Sequence, residues 1–134
     1  MEQAMTSVEQ RVAQCGVRLC VLHGSRTQGT ARHDSDYDVA VLTTPGEGFR
    51  SVESHSNVLE LASELLRVSQ DRIDIAYLDH ANPLLLKQVA DHGKLLCGTE
   101  QDFLALKLKA FHRYVDYQPC FALERALNRE AFLS

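Results

Sequence analysis

The sequence lacks several features that would each indicate a particular class of protein. Its cysteines contain no CxxC pair, which excludes the usual zinc spacing and the density of a disulfide-rich secreted domain. A net charge of −4 disfavours a broad nucleic-acid surface. No apolar run approaches the roughly 20 residues of a membrane helix, and the first residues hold no signal-like apolar segment. We therefore expect a cytoplasmic protein with no membrane segment and no direct nucleic-acid partner, whose cysteines are reduced and mostly buried: Cys15, Cys20, Cys97 and Cys120.

What is present is the pattern of one α/β domain over residues 1–134. Helical periodicity and short apolar strands alternate without internal repeats. The predicted strands are 17–22, 36–42, 72–78 and a short edge strand at 94–97. The predicted helices are 2–14, 51–68, 82–92 and a helical region from about 100 to 134, in which Pro119 is a candidate break.

The last helix has apolar residues on two sides and therefore needs two partners to bury both. One stripe is Leu104, Leu108, Phe111 and Val115, and the other is Phe103, Leu106, Ala110, Tyr114 and Tyr117. The aromatic residues Phe111, Tyr114, Tyr117 and Phe121 are assigned to the core or to a lid over the sheet. A protein interface is the alternative, because interfaces favour Tyr and Phe at their buried centres.

Acidic residues begin the second strand, in the stretch HGSRTQGTARHDSDYDVAVL at residues 23–42. Strands disfavour Asp, so propensity does not explain them. Because side chains alternate along a strand, Asp36 and Asp38 share one face. Asp74 in the third strand joins them if the two strands are neighbours. Three close carboxylates need a compensating cation, and hard oxygen ligands favour Mg²⁺ or Mn²⁺.

The same stretch contains a candidate phosphate site. Gly24 permits close backbone approach, and Ser25 offers a hydroxyl and can cap a following short helix. Arg26 and Arg32 could add charge-assisted contacts to phosphate oxygens. His23, directly before them, is interpreted as a packed histidine at the end of a strand.

These residues carry a family resemblance. Gly24-Ser25 followed by Asp36-Tyr37-Asp38 resembles the signature of the DNA polymerase beta-type nucleotidyltransferase superfamily, and Asp74 matches its third carboxylate. The pattern GSRxxGxxRxxSDxDxxV is most similar to the minimal nucleotidyltransferases, which in many bacteria are antitoxin partners of HEPN-domain toxins. The resemblance covers about residues 17–100, the expected catalytic core.

The resemblance implies a polymerase beta-like nucleotidyltransferase fold, with a small mixed central sheet and flanking helices. It implies that Asp36 and Asp38 bind two Mg²⁺ ions and that Asp74 binds the ion nearer the nucleophile and helps to deprotonate the acceptor. Gly24 and Ser25 would hold the triphosphate of ATP.

For the antitoxin subgroup, the resemblance implies AMP transfer from ATP to a tyrosine hydroxyl of a cognate HEPN toxin, within a type VII toxin–antitoxin pair. A hetero-oligomer with the toxin is then expected. The toxin motif, Arg-x4-His-x-Tyr, is absent from the sequence, so this chain would be the modifying partner. Two alternatives remain: a transferase acting on a small molecule such as an aminoglycoside, and a non-catalytic antitoxin that blocks the toxin by binding it.

Overall fold

The computed structural model describes residues 7–24, 29, 36–44 and 52–133. Its strands are β1 (Val17–His23), β2 (Tyr37–Thr43), β3 (Ile73–Tyr77) and β4 (Lys94–Cys97). Its α-helices are α1 (Ser7–Gln14), α2 (Val52–Leu66), α3 (Pro83–His92) and α4 (Glu100–Leu133), with a short 3₁₀ turn at Gln70–Arg72. The predicted elements in the described residues are confirmed in type and order. The short helix expected after Ser25 lies outside them.

The four strands form one mixed sheet in the order β3-β2-β1-β4. β2 and β3 run parallel, whereas β1 pairs antiparallel with both β2 and β4. The carboxyl end of β1 therefore lies beside the amino end of β2, which in turn lies beside the amino end of β3. The small mixed sheet and the edge position of β4 are both confirmed.

Alternation along the central strands builds a core on each face of the sheet. On one face, Leu19, Val21 and Ala40 pack with residues of α3 and α4. On the other, Val39 and Val41 pack with residues of α2. Successive residues of a strand point to opposite faces of the sheet. Asp38 lies two residues before Ala40 and is therefore on the face covered by α3 and α4.

Local capping explains where α3 begins and ends. The Asn82 side chain accepts a hydrogen bond from the backbone N–H of Leu85, and Pro83 occupies the first turn, where no donor is needed. Gly93 ends the helix in an extended conformation, with φ of −74°. A Cβ at Gly93 would lie 2.3 Å from the Val89 carbonyl oxygen, so glycine is required there for space.

The break predicted at Pro119 is wrong, because α4 continues through it to Leu133. Proline removes one backbone donor, but the hydrogen bonds of neighbouring turns keep the helix continuous. Only one apolar stripe has a partner in the described residues: Phe103 and Leu106 are buried, whereas Leu108 is 55% exposed and Phe111 is 63% exposed.

Two sequence-based burial assignments are corrected. The aromatic set does not form a core or a lid, because Phe111 and Tyr117 are exposed on α4, and the ring contacts of Phe121 are with Tyr114 and Tyr117 of the same helix. All four cysteines are free, but only Cys20 is fully buried and Cys120 is exposed. Among the described residues, no helix is both long and apolar enough to cross a membrane.

Candidate active site

Two of the three predicted carboxylates face each other across neighbouring strands. Asp38 and Asp74 are register partners in the parallel β2–β3 ladder, near the amino end of each strand. Neighbouring strands lie about 4.8 Å apart, and partners in register project to the same face. Asp36 lies directly before β2 and is exposed. The condition on which the convergence of Asp38 with Asp74 depended, that β2 and β3 are neighbours, is met.

Gly24 packs closely against the first of these carboxylates. Its φ is +80°, and a Cβ placed on it would lie 2.4 Å from Oδ2 of Asp38. Glycine is therefore required for both its backbone conformation and its lack of a side chain. The backbone of Gly24 thus closely approaches the Asp38 side chain, and its role toward a phosphate stays a prediction.

His23 on β1 continues the line of Asp38 and Asp74 across the sheet, and these three residues form the acidic row. His23 is the register partner of Asp38 in the antiparallel β1–β2 ladder, and it is half-buried. Its Nε2 atom is buried and has no hydrogen-bond partner within the described residues. Burial lowers the pKa of His23, while the charges of Asp38 and Asp74 act in the opposite direction.

Sequence reasoning treated His23 as a packed residue and missed its position beside two carboxylates. The signal that could have found it is its place at the end of a strand directly before Gly24. The antiparallel pairing that sets it opposite Asp38 joins residues 15 positions apart and is not visible in local periodicity.

The electrostatics of the row favour a bound cation. Burial raises the pKa of Asp38, the neighbouring His23 opposes that shift, and the carboxylates of Asp74 and Asp36 add to it. Like charges at this separation disfavour simultaneous ionisation, whereas a divalent cation would stabilise it.

The donor set fits Mg²⁺ in its chemistry, because all three predicted ligands offer carboxylate oxygens. As the side chains stand, however, no three His, Cys, Asp or Glu residues in the described ranges form a group that could hold one ion. The expected convergence of three carboxylates is therefore not observed as one group: Asp38 and Asp74 are register partners, whereas Asp36 is exposed directly before β2.

The remaining predicted site residues, Ser25, Arg26 and Arg32, lie outside the described residues. Away from the carboxylates, an open groove of about 610 Å³ runs along α4. It is lined by Leu84, Tyr114 and Phe121 together with polar residues of α4, and it contains none of the acidic row.

A mixed sheet with paired aspartates on adjacent strands and a glycine turn beside them is the arrangement expected of a nucleotidyltransferase core. The family model described as Polymerase beta, Nucleotidyltransferase matches residues 8–102, and the chain belongs to this family. The expected fold class is thereby confirmed.

Among its relatives is the protein adenylyltransferase MntA of Shewanella oneidensis, which is 33% identical over 104 residues. This alignment covers 76% of the present chain and 69% of that relative.

Two solved structures share the fold. A chain of a toxin–antitoxin crystal structure with AMP-PNP matches with a TM-score of 0.62 and 24% identity, over 95% of this chain and 99% of its own. A structure of tri-AMPylated Shewanella oneidensis HEPN toxin in complex with MNT antitoxin matches with a TM-score of 0.57 and 22% identity, over 93% of this chain and 96% of the matched chain.

Proposed function

We propose that this chain is a Mg²⁺-dependent protein adenylyltransferase that transfers AMP from ATP to a tyrosine hydroxyl of a partner HEPN toxin and thereby acts as its antitoxin. The observation that carries the proposal is the facing pair Asp38 and Asp74, with Gly24 packed against Asp38. The similarity to MntA supports a protein as acceptor, and the matched complex contains an AMPylated HEPN toxin. With ATP as donor, we place the reaction in the cytoplasm.

Each site residue receives a role. Asp36, Asp38 and Asp74 would hold the Mg²⁺ ions, which supply charge stabilisation to the attacking and leaving oxygens of an in-line displacement. Asp74, on edge strand β3, is exposed and would accept the proton of the tyrosine hydroxyl. The hydroxyl oxygen then bonds to the α-phosphorus of ATP, and pyrophosphate leaves.

The backbone near Gly24 would hold the triphosphate next to Asp38. Gly24, directly after β1, has the left-handed backbone conformation of a tight turn, with a φ of +80°. We assign Ser25 to the triphosphate, with Arg26 and Arg32 as charge-assisted contacts.

The test is transfer of label from ATP carrying ³²P at the α-phosphate to a co-expressed HEPN protein with the Arg-x4-His-x-Tyr motif. Asp74→Asn is expected to reduce the rate by about 100-fold or more, since it removes charge at the reacting atoms. The matched control is Asp71→Asn, an exposed acid in the turn before β3, which should retain the parental rate. Full transfer by the combined variant Asp36→Asn and Asp38→Asn would refute the assigned mechanism.

Two other outcomes would replace the proposal. If the two proteins co-purify and the toxin is inhibited without transfer of label, the chain neutralises its partner by binding alone. If label appears on an aminoglycoside and not on the protein, the acceptor is a small molecule.

A further inference from the structure

Two cysteines face each other across β1 and the edge strand β4. Cys20 and Cys97 are register partners in this antiparallel pair. Cys20 is 2% exposed and Cys97 is half-buried, and both are free. Directly after Cys97, Gly98 has a φ of +114°, and a Cβ there would lie 2.7 Å from the Arg18 carbonyl oxygen. The end of β4 is therefore held tightly against β1.

This geometry is compatible with a disulfide. Opposed residues of a regular antiparallel pair have Cα atoms about 4.5–5.5 Å apart, within the 4.4–6.8 Å range that disulfides adopt. The register of this ladder shifts only after Cys20, between Cys20 and Val21. The two thiols perturb each other: the neighbouring Cys97 and burial raise the pKa of Cys20, whereas the neighbouring Cys20 lowers the pKa of Cys97 against the effect of burial. Cys97, the more accessible sulfur, is thus the better nucleophile.

We propose that Cys97 and Cys20 form an oxidation site at which a hydroperoxide converts two thiols into an intrachain disulfide. The Cys97 thiolate attacks the terminal peroxide oxygen, the O–O bond breaks, and an alcohol, or water from hydrogen peroxide, leaves after protonation. The Cys20 sulfur then attacks the resulting sulfenic acid at Cys97. An S–S bond forms, the S–O bond breaks, and the departing hydroxide takes the Cys20 proton as water. Two thiols are oxidised and one peroxide is reduced.

The other two cysteines have different surroundings. Cys15 lies on the same side of the sheet, where its sulfur contacts the Asn57 carbonyl oxygen at 3.8 Å and burial raises its pKa. Cys120 is exposed on α4 and provides an internal reference for simple oxidation.

The cross-link would join the edge strand to the strand that leads into the candidate active site. Cys20 precedes His23 by three residues on β1, and Gly24 follows. The disulfide would therefore tie the end of β4 to the middle of β1, three residues before His23. The proposal does not depend on the identity of the acceptor in the transfer reaction.

The experiment uses the reduced full chain, treated with a small excess of hydrogen peroxide, blocked with iodoacetamide and digested with trypsin. Mass spectrometry should find residues 19–26, which contain Cys20, linked to residues 95–107, which contain Cys97. The Cys120→Ser variant should give the same linked pair in the same yield. In Cys97→Ser, this pair should be absent and Cys20 should remain open to alkylation after denaturation.

If the Cys97→Ser variant fails to fold, the linked peptide from the parental chain alone tests the proposal. The proposal is overturned if Cys20 and Cys97 both stay reduced, and are therefore alkylated by iodoacetamide, at a peroxide dose that oxidises Cys120. It is equally overturned if the main linked product contains Cys15 in place of Cys20.

Discussion

Replacing Gly24 by alanine tests whether the position of Asp38 governs the proposed transfer reaction. The new Cβ would lie 2.4 Å from Oδ2 of Asp38, whereas ordinary contact begins at about 3.4 Å. The carboxylate must therefore move by about 1 Å. Displacements of this size at a reacting centre cost about 100-fold in rate, or roughly 2.7 kcal/mol of transition-state stabilisation. We expect Gly24→Ala to reduce kcat/KM for labelled ATP by about that factor.

Gly29→Ala is the matched control for backbone conformation. Gly29 has a φ of +74°, close to the +80° of Gly24, but a Cβ there would meet no atom of the described residues within 4 Å. Both variants should lose about 1–2 kcal/mol of stability from the left-handed backbone, or roughly 4–8 °C in Tm. The transfer rate separates them, because only Gly24→Ala displaces a carboxylate.

The assay is steady-state transfer of ³²P-labelled AMP to the partner protein, with thermal unfolding measured on the same preparations. Equal loss of transfer by Gly24→Ala and Gly29→Ala would refute the reasoning, since backbone strain alone would then account for the effect. A parental transfer rate in Gly24→Ala would show that the site tolerates displacement of Asp38.

Three further predictions concern stability and binding. Thr43→Val should lower the free energy of unfolding by about 1–3 kcal/mol in urea titrations, because the buried Thr43 hydroxyl donates to Asp79; an unchanged midpoint would contradict this. The hydrogen bond from Arg18 lowers the pKa of Asp102. The stabilisation that this pair gives the folded state is therefore present above the ordinary carboxyl pKa of about 4, and it is lost as the pH falls through the lowered pKa. Asp102→Asn should therefore have a lower Tm than the parent at pH 7, with the gap closing below about pH 4, and a gap independent of pH would exclude the pair as its source. Phe111→Asp should change stability by less than about 0.5 kcal/mol but weaken co-purification of the HEPN partner if the exposed stripe of α4 is the interface; unaltered pull-down yields would assign the interface elsewhere.

Much of the fold was predictable from the sequence because its elements have clear periodicity and end signals. Gly16, with a φ of +71°, ends α1 in the left-handed conformation expected of it. Asn82 and Pro83 mark the start of α3 in the sequence as they do in the structure. The break predicted at Pro119 is wrong because the helix-breaking preference of one proline is weaker than the hydrogen bonds of the helical turns on either side.

The burial of α4 could not be predicted from its pattern alone. Both stripes are apolar, and the sequence contains no measure of which one meets α3. Packing chose the side that carries Phe103 and Leu106 and left Leu108 and Phe111 exposed. Hydrophobicity indicates what can be buried, while the number of neighbouring elements determines what is buried.

The sequence by itself determined that Asp38 and Ala40 share one face of β2, since side-chain alternation is a local property of the extended backbone. Asp36, which was expected on the same face, lies directly before the strand. The sequence also determined the family, through the spacing of Gly24, Ser25 and the two aspartates. Only the tertiary structure decided which strands are neighbours. The order β3-β2-β1-β4 places Asp74 and His23 on either side of Asp38, and it places Cys97 against Cys20. These pairings depend on packing two faces of one sheet, and that is a property of the whole chain.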